Sequence, residues 1–269
     1  MTIVAGIDVG SASTKALLYR EDGQVIARSE VRTRANFDGV AREALDKAVA
    51  EAGIAIADVA YVATTGLGRY SVSFRDVQIT EMTAAGRGAW THFPGIGFVL
   101  DMGAQSTRAI RLREDGKVRD FHVNEKCAAG SGSFLVRAAK YLEVPVSELG
   151  TRSLEATGQK PISSVCAVLA ESEIINHVSE GVPVNDVIRG LHESLAERAY
   201  TQLKKIGLNG PVAFVGGVAI QEGAVAAARR KFGVEVRVPD HPNYVTALGA
   251  AVLGLHRLQA KRDLERARA

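Results

Sequence analysis

Asp8-Val-Gly-Ser-Ala-Ser-Thr-Lys-Ala-Leu-Leu-Tyr-Arg-Glu-Asp-Gly-Gln-Val25 returns further along the chain as Asp101-Met-Gly-Ala-Gln-Ser-Thr-Arg-Ala-Ile-Arg-Leu-Arg-Glu-Asp-Gly-Lys-Val118. Asp8 matches Asp101, Gly10 matches Gly103, Ser13 and Thr14 match Ser106 and Thr107, and both copies close on Glu-Asp-Gly. In each, an apolar strand ends in an acidic residue and a loop of small residues, and a second strand then turns back through Asp-Gly into a third. Such a repeat predicts an α/β chain of two similar halves. Facing each other, they would set two hydroxyl-rich loops and two aspartates, Asp8 and Asp101, around one cleft. That layout suits the phosphates of one nucleotide, with the carboxylates holding Mg²⁺ directly or through water. A duplicated fold that binds no nucleotide is the plainer reading of the same repeat.

The first loop follows Ile3-Val-Ala-Gly-Ile-Asp-Val9, a short apolar run that reads as a buried strand. Its backbone N–H groups, the hydroxyls of Ser11, Ser13 and Thr14 and the charge of Lys15 are suitable phosphate donors. Neither G-x-x-x-x-G-K-[ST] nor G-x-G-x-x-G is present, and an ordinary tight turn uses the same residue types. Further on, Val212-Ala-Phe-Val-Gly-Gly-Val-Ala219 reads as a strand and a turn before helical spacing from Ile220 to Lys231. Gly216 and Gly217 there permit close approach of a base or phosphate, and the turn has a purely topological explanation too.

Two cysteines are present, each just ahead of a helical pattern: Cys127 in Asn124-Glu-Lys-Cys-Ala-Ala-Gly-Ser-Gly-Ser-Phe-Leu135, and Cys166 in Ser163-Ser-Val-Cys-Ala-Val-Leu-Ala-Glu-Ser-Glu-Ile174. Free N–H groups and the dipole at a helix start favour a thiolate, which is the form that binds metal. A four-thiolate cluster or zinc site needs four cysteines, so two chains related by a twofold axis would supply them. Two small apolar packing residues, or a reactive thiol, fit the same pattern.

With 46 % hydrophobic and 23 % charged residues, the chain has the composition of globular protein, and a net charge of +3 gives no argument for nucleic acid. No run approaches the roughly 18 apolar residues of a membrane span, and Met1-Thr-Ile-Val-Ala-Gly lacks the basic start of a signal peptide. A reducing cytoplasm is expected, where a disulfide is the least expected use of the thiols. The remaining pattern is scaffold: a helix over Val40–Ala52, a strand over Val59–Thr64 with a loop at Thr65–Arg69, and helices through Phe134–Leu142 and Leu169–Val178. A short edge strand at Val234–Val238, a helix over Val245–Leu255 and a charged helical tail complete it. Glu81 suits either a cleft acid or an exposed helix start, and His177 either a ligand or a packed or surface residue.

Gly6-Ile-Asp-Val-Gly-Ser, Asp101-Met-Gly-Ala-Gln, Cys127-Ala-Ala-Gly-Ser-Gly-Ser-Phe-Leu135, Cys166-Ala-Val-Leu-Ala-Glu-Ser-Glu173 and Gly216-Gly-Val-Ala219 together resemble the ATPase components of benzoyl-CoA reductases and the activators of 2-hydroxyacyl-CoA dehydratases. The resemblance implies two ribonuclease-H-like subdomains of the actin, Hsp70 and sugar-kinase type with ATP in the cleft between them: residues 1–94, residues 95–255, and a tail of 256–269. It implies a [4Fe-4S] cluster shared by two subunits through Cys127 and Cys166, and ATP hydrolysis coupled to ejection of a low-potential electron. Asp8 and Ser11, Ala12, Ser13, Thr14 and Lys15 match the first phosphate loop. Asp101, Gly103, Ala104 and Gln105 match the second, Gly130 and Gly132 the nucleotide-side glycines, and Gly216 and Gly217 the adenosine loop. Asp8, Asp101 and Gln105 are the expected catalytic residues. The implied partners are a homologous ATPase subunit in a homodimer or heterodimer, CoA-ester-binding reductase or dehydratase subunits, and a ferredoxin or flavodoxin donor.

The second loop of that family usually reads Asp-Ile-Gly-Gly-Gln-Asp, so Ala104 and Ser106 are departures here, as are Ala85 for a histidine and Gln221 near a usual asparagine. The missing acid bears on Mg²⁺ handling. The drift points to one subunit of a heteromeric, dearomatising benzoyl-CoA reductase, with the homodimeric activator as the alternative. A sugar kinase, and a nucleotide-binding module without turnover, are the readings of other classes.

Overall fold

Strand β1 (Ile3–Val9) pairs antiparallel with β2 (Ser13–Arg20), and β2 with β3 (Val25–Arg32). On its other side β1 runs parallel to β4 (Val59–Thr65), which is flanked by the short β5 (Val77–Gln78), giving the order β3-β2-β1-β4-β5. The second sheet repeats this plan with β6 (Phe98–Met102), β7 (Thr107–Leu112), β8 (Val118–Asn124), β9 (Val212–Val215) and β10 (Val236–Arg237), in the order β10-β9-β6-β7-β8. The structure, a computed structural model, describes residues 1–124, 131–162 and 167–268. The repeated sequence is therefore a repeated fold, down to the hairpin turn. Asp22 Oδ1 accepts the Gln24 N–H at 3.1 Å, and Asp115 Oδ1 accepts the Lys117 N–H at 3.0 Å.

Alternation along β1 decides what covers each face. Ala5, Ile7 and Val9 pack under α1 (Phe37–Ala52), whose Val40, Ala44, Leu45 and Ala48 recur at helical spacing. Asn36 caps that helix by accepting the Gly39 N–H at 3.0 Å, leaving one fewer orphan donor. Val4 faces the other way, with Leu17 and Tyr19, toward the C-terminal helix α8 (Val245–Arg268).

That helix corrects the expected boundaries. One unit comprises Met1–Pro94 and the chain from Tyr244 onward, and the other Gly95–Asn243, so residues 245–255 do not close the second half. Nor is the charged tail a separate element, since α8 is one helix through Arg268. Its apolar face, Ala247, Leu248, Ala251, Val252, Leu255 and Leu258, needs the first sheet as cover. The approach depends on Gly6. A Cβ there would overlap the Ala247 carbonyl oxygen and stand 2.8 Å from the Ala251 nitrogen, so the helix rides on bare strand backbone.

In the second unit, Phe98, Leu100 and Met102 pack with α3 (Gly132–Tyr141), α6 (Val184–Lys205) and α7 (Glu222–Phe232) around Phe134, Leu191, Leu195 and Phe214. Among the described residues no helix is long and apolar enough to cross a membrane. His192 of α6 is fully buried, lining a small cavity with Leu100, Phe214 and Phe232, and neither ring nitrogen has a hydrogen-bond partner. Burial, reinforced by the Arg230 charge, lowers its pKa from 6.5 to about 4. The unfolded chain takes up this proton below about pH 6.5 and the folded chain only near 4, so the contribution is intact above pH 6.5. It falls as the pH drops, by about 3 kcal/mol at most. Urea titrations between pH 7 and pH 4 are expected to show this loss, and His192→Leu to flatten it; the same slope in the variant would remove His192 as its cause.

Candidate functional site

Asp8 closes β1 opposite Thr65 of β4, and Asp101 lies in β6 opposite Val215 of β9. The next residue in each parallel neighbour is a glycine with a left-handed backbone, Gly66 (φ +86) and Gly216 (φ +91). A Cβ on Gly66 would stand 2.5 Å from Asp8 Oδ1, and one on Gly216 2.7 Å from Asp101 Oδ1. Each aspartate is thus roofed by bare backbone at the carboxyl end of its sheet. Gly216 was expected at the site; Gly66 was read only as part of a loop. Its signal is its place after a strand, Val59-Ala-Tyr-Val-Ala-Thr-Thr, equivalent to that of Gly216.

The first loop is held from one side. Thr33 donates its N–H to the Ala12 carbonyl at 2.9 Å and its hydroxyl to the Gly10 carbonyl at 2.8 Å. Thr14 is fully buried with its hydroxyl 2.9 Å from that of Thr33, so it braces the loop from beneath while Ser11, Ala12 and Ser13 form its more open part. Lys15 is largely buried as well, donating to Ser13 Oγ at 2.6 Å and lying 3.4 Å from Glu30. Beside the loop, Arg69 donates to the Gly66 carbonyl at 2.9 Å and pairs with Glu81 at 3.4 Å. Glu81 is therefore a largely buried ion-pair partner at the start of α2 (Glu81–His92), not an exposed helix-start residue; Arg69 was not anticipated.

The second loop is a tighter turn, closed by the Gly103 N–H donating to the Ser106 carbonyl at 2.9 Å, with Gln105 exposed at its tip. Asp101 is only 4 % exposed and its Oδ2 accepts from Arg108 at 3.0 Å. The turn also caps a helix. Gly132 and Ser133, the first residues of α3, donate their N–H groups to the Gly103 and Ala104 carbonyls at 2.9 and 2.8 Å. Helix starts leave such donors without internal partners, and here loop carbonyls take them. Gly132 is wedged in place, since a Cβ on it would meet the Gly103 oxygen at 3.1 Å and Val218 at 3.2 Å. Asp101, Gly103, Ala104, Gly132 and Gly216 are thus gathered in one place, whereas nothing stands within 4 Å of a Cβ on Gly217.

Cys127, Gly130 and Cys166 lie outside the described residues. The helices that follow the two cysteines, α3 and α5 (Ala167–Ser179), are joined to each other. Arg137 pairs with Glu171 at 3.0 Å, and the Tyr141 hydroxyl donates to the same carboxylate at 3.3 Å. His177 on α5 stands 3.4 Å from the Pro161 carbonyl and 3.6 Å from Glu180. Two thiolates per chain suit a [4Fe-4S] cluster only if a second chain adds two more. For Mg²⁺, the described residues gather no set of three His, Cys, Asp or Glu side chains. One carboxylate with waters and phosphate oxygens is a usual way to hold that ion, and Asp8 suits it.

A model of the BadF/BadG/BcrA/BcrD ATPase family matches residues 5–254. The chain belongs to that family. It is 39 % identical to one of the benzoyl-CoA reductase subunits of Thauera aromatica over 96 % of this chain and 94 % of the relative. The solved activator of the 2-hydroxyisocaproyl-CoA dehydratase from Clostridium difficile, with bound ADPNP, superposes with a TM-score of 0.93 at 35 % identity, covering 97 % of each chain. A ROK family glucokinase from Streptomyces griseus (17 % identity, TM-score 0.60, covering 94 % of this chain and 99 % of its own) shares the fold alone. The fold is accordingly the α/β fold of activator ATPases and sugar kinases.

Gly216→Ala, which needs a positive φ and sets a methyl 2.5 Å from the Met102 carbonyl, is expected to cost about 2–3 kcal/mol in a denaturant titration. Gly217→Ala has open space and serves as the control; equal losses in the two variants would count against the roofed-aspartate geometry.

Proposed function

We propose that the chain is an ATP-hydrolysing electron-transfer component, which couples loss of the γ-phosphate to delivery of a low-potential electron to a CoA-ester reductase or dehydratase partner. The observation that carries this reading is the bonding of α3 to the second loop. The loop carbonyls of Gly103 and Ala104 grip Gly132 and Ser133, and the chain just ahead of them leads back to Cys127. A loop that shifts when a phosphate leaves would move the start of α3, and α5 with it through Glu171.

In this mechanism Asp8 would hold Mg²⁺, directly or through water, and the backbone and hydroxyls of Ser11 and Ser13 would hold phosphate oxygens. Gln105, exposed on the second loop, orients the attacking water, and the Gly216 turn takes the adenosine side. Cys127 and Cys166 of two chains would ligate one [4Fe-4S] cluster, which supplies a one-electron centre whose potential ranges over roughly −700 to +450 mV with charge, hydrogen bonding and exposure. A second chain over this region is supported by the exposed apolar side chains Val136 and Tyr141 of α3 and Leu169, Ile175 and Val178 of α5. A ferredoxin or flavodoxin would refill the centre, in the cytoplasm.

The departures at Ala104 and Ser106 favour a subunit of a heteromeric benzoyl-CoA reductase, where a related subunit shares the work. The likeness to the dehydratase activator favours the homodimer equally, and subunit counting after anaerobic purification separates them. A sugar kinase of this fold would transfer phosphate to a sugar as an iron-free protein.

Cys127→Ala and Cys166→Ala are expected to abolish bound iron and sulfide while nucleotide binding persists; native iron content in either variant would exclude ligation. Asp8→Asn is expected to slow MgATP hydrolysis about 100-fold or more with iron retained, and native turnover would remove Asp8 from the reaction.

A further inference from the structure

The turn that follows β9 is open where it meets solvent, and apolar. The Gly216 N–H donates to the Pro242 carbonyl at 2.9 Å, so the turn is pinned at its start. Nothing stands within 4 Å of a Cβ on Gly217, the next residue. A single helical turn, Gly217–Ile220, then buries Val218 and Ala219 and leaves Ile220 55 % exposed. Gln221 follows, and its amide is taken up by the fold: Nε2 donates to the Val146 carbonyl at 2.9 Å, and Oε1 is buried. That bond brings Val146, itself 36 % exposed, to the edge of the turn. All of these residues belong to the second unit.

Resting on the reading of this turn as the adenosine side, we propose that the base is held by its flat face, over bare Gly217 and against Ile220, so that the site takes adenine and guanine nucleotides with little choice between them. β6, β9 and β10 run parallel and end here, and ligands of such sheets bind outside the carboxyl ends of the strands. A glycine without Cβ lets a flat ring lie on the backbone, and an exposed branched side chain beside it supplies apolar surface that leaves water when the ring arrives. Telling the two purines apart needs polar groups at the ring edge, because adenine carries a donor at N6 where guanine carries an acceptor at O6. Apolar contact discriminates weakly, whereas a site that hydrogen-bonds its substrate rejects the wrong one strongly. Gln221, the amide next to Ile220, is committed to Val146. Glu222, exposed at the start of α7, is the polar side chain that an edge-reading site would use instead.

The test is calorimetric titration of the full-length, anaerobically prepared chain with ADP, GDP and inorganic pyrophosphate at one Mg²⁺ concentration, together with thermal melting. ADP and GDP are expected to bind within about tenfold of each other. Ile220→Ser is expected to weaken both by about fivefold and to leave pyrophosphate binding and the melting temperature as they are, with Ile220→Phe keeping the native affinity for both nucleotides. Gly217→Val has open space for its side chain, so it should melt with the native chain while losing nucleotide affinity, because the valine stands where the base would lie. A preference for ADP beyond about tenfold, native affinities in Ile220→Ser, or a changed ratio of ADP to GDP binding in Glu222→Gln would each overturn the proposal and leave the nucleotide reading standing. A native chain that binds neither ADP nor GDP would overturn the nucleotide reading, and this proposal with it.

Discussion

Two hydrogen bonds, from the N–H groups of Gly132 and Ser133 to the carbonyls of Gly103 and Ala104, tie the loop at the end of β6 to the helix that follows Cys127 in the sequence. A helix start must find acceptors for its first donors, and those chosen here belong to a loop rather than to a side-chain cap. The helix cannot shift without the loop. The loop in turn leaves β6 after Met102, next to Asp101, which Arg108 and the Gly216 backbone hold in place.

The two halves differ in what they add to the shared plan. Between β3 and β4 the first half needs only α1 and one short helical turn, while the chain between β8 and β9 carries α3, α4 (Leu149–Leu154), α5 and α6. Both cysteine segments fall in that longer crossover. The first half instead gains α8, brought back from the far end of the chain and seated on Gly6. One half thus uses its extra chain to close its own core, and the other to carry a cysteine-bearing insert between the strands that frame its loop.

Much of the fold was legible because the information was local. The repeat gives strand, loop, strand and Asp-Gly turn twice, and the spacing of Val40, Ala44, Leu45 and Ala48 gives α1. The destination of α8 was not legible, because its Ala- and Gly-rich face matches any close-packed partner and only three-dimensional contact shows that Gly6 is the seat. His192 is similar: the apolar period of α6, in Val187, Ile188, Leu191 and Leu195, is visible, but no local pattern marks a buried imidazole without partners. In the second unit, Asp101, Gly103, Ala104, Gly132 and Gly216, which the structure gathers, could be named from motif and resemblance. The capture of Asp101 by Arg108 and the pairing of Arg69 with Glu81 depend on strand register and loop path, which residue types alone do not fix.

The most direct measurement is the electron paramagnetic resonance spectrum of the anaerobically reduced protein, recorded without nucleotide, with MgADP and with MgATP. The account predicts a reduced-cluster signal whose shape or g-values change between the nucleotide states, because the loop proposed to hold phosphate also holds the helix that follows Cys127 in the sequence. A reduced-cluster signal identical in all three conditions, at nucleotide levels shown to saturate binding, would contradict it.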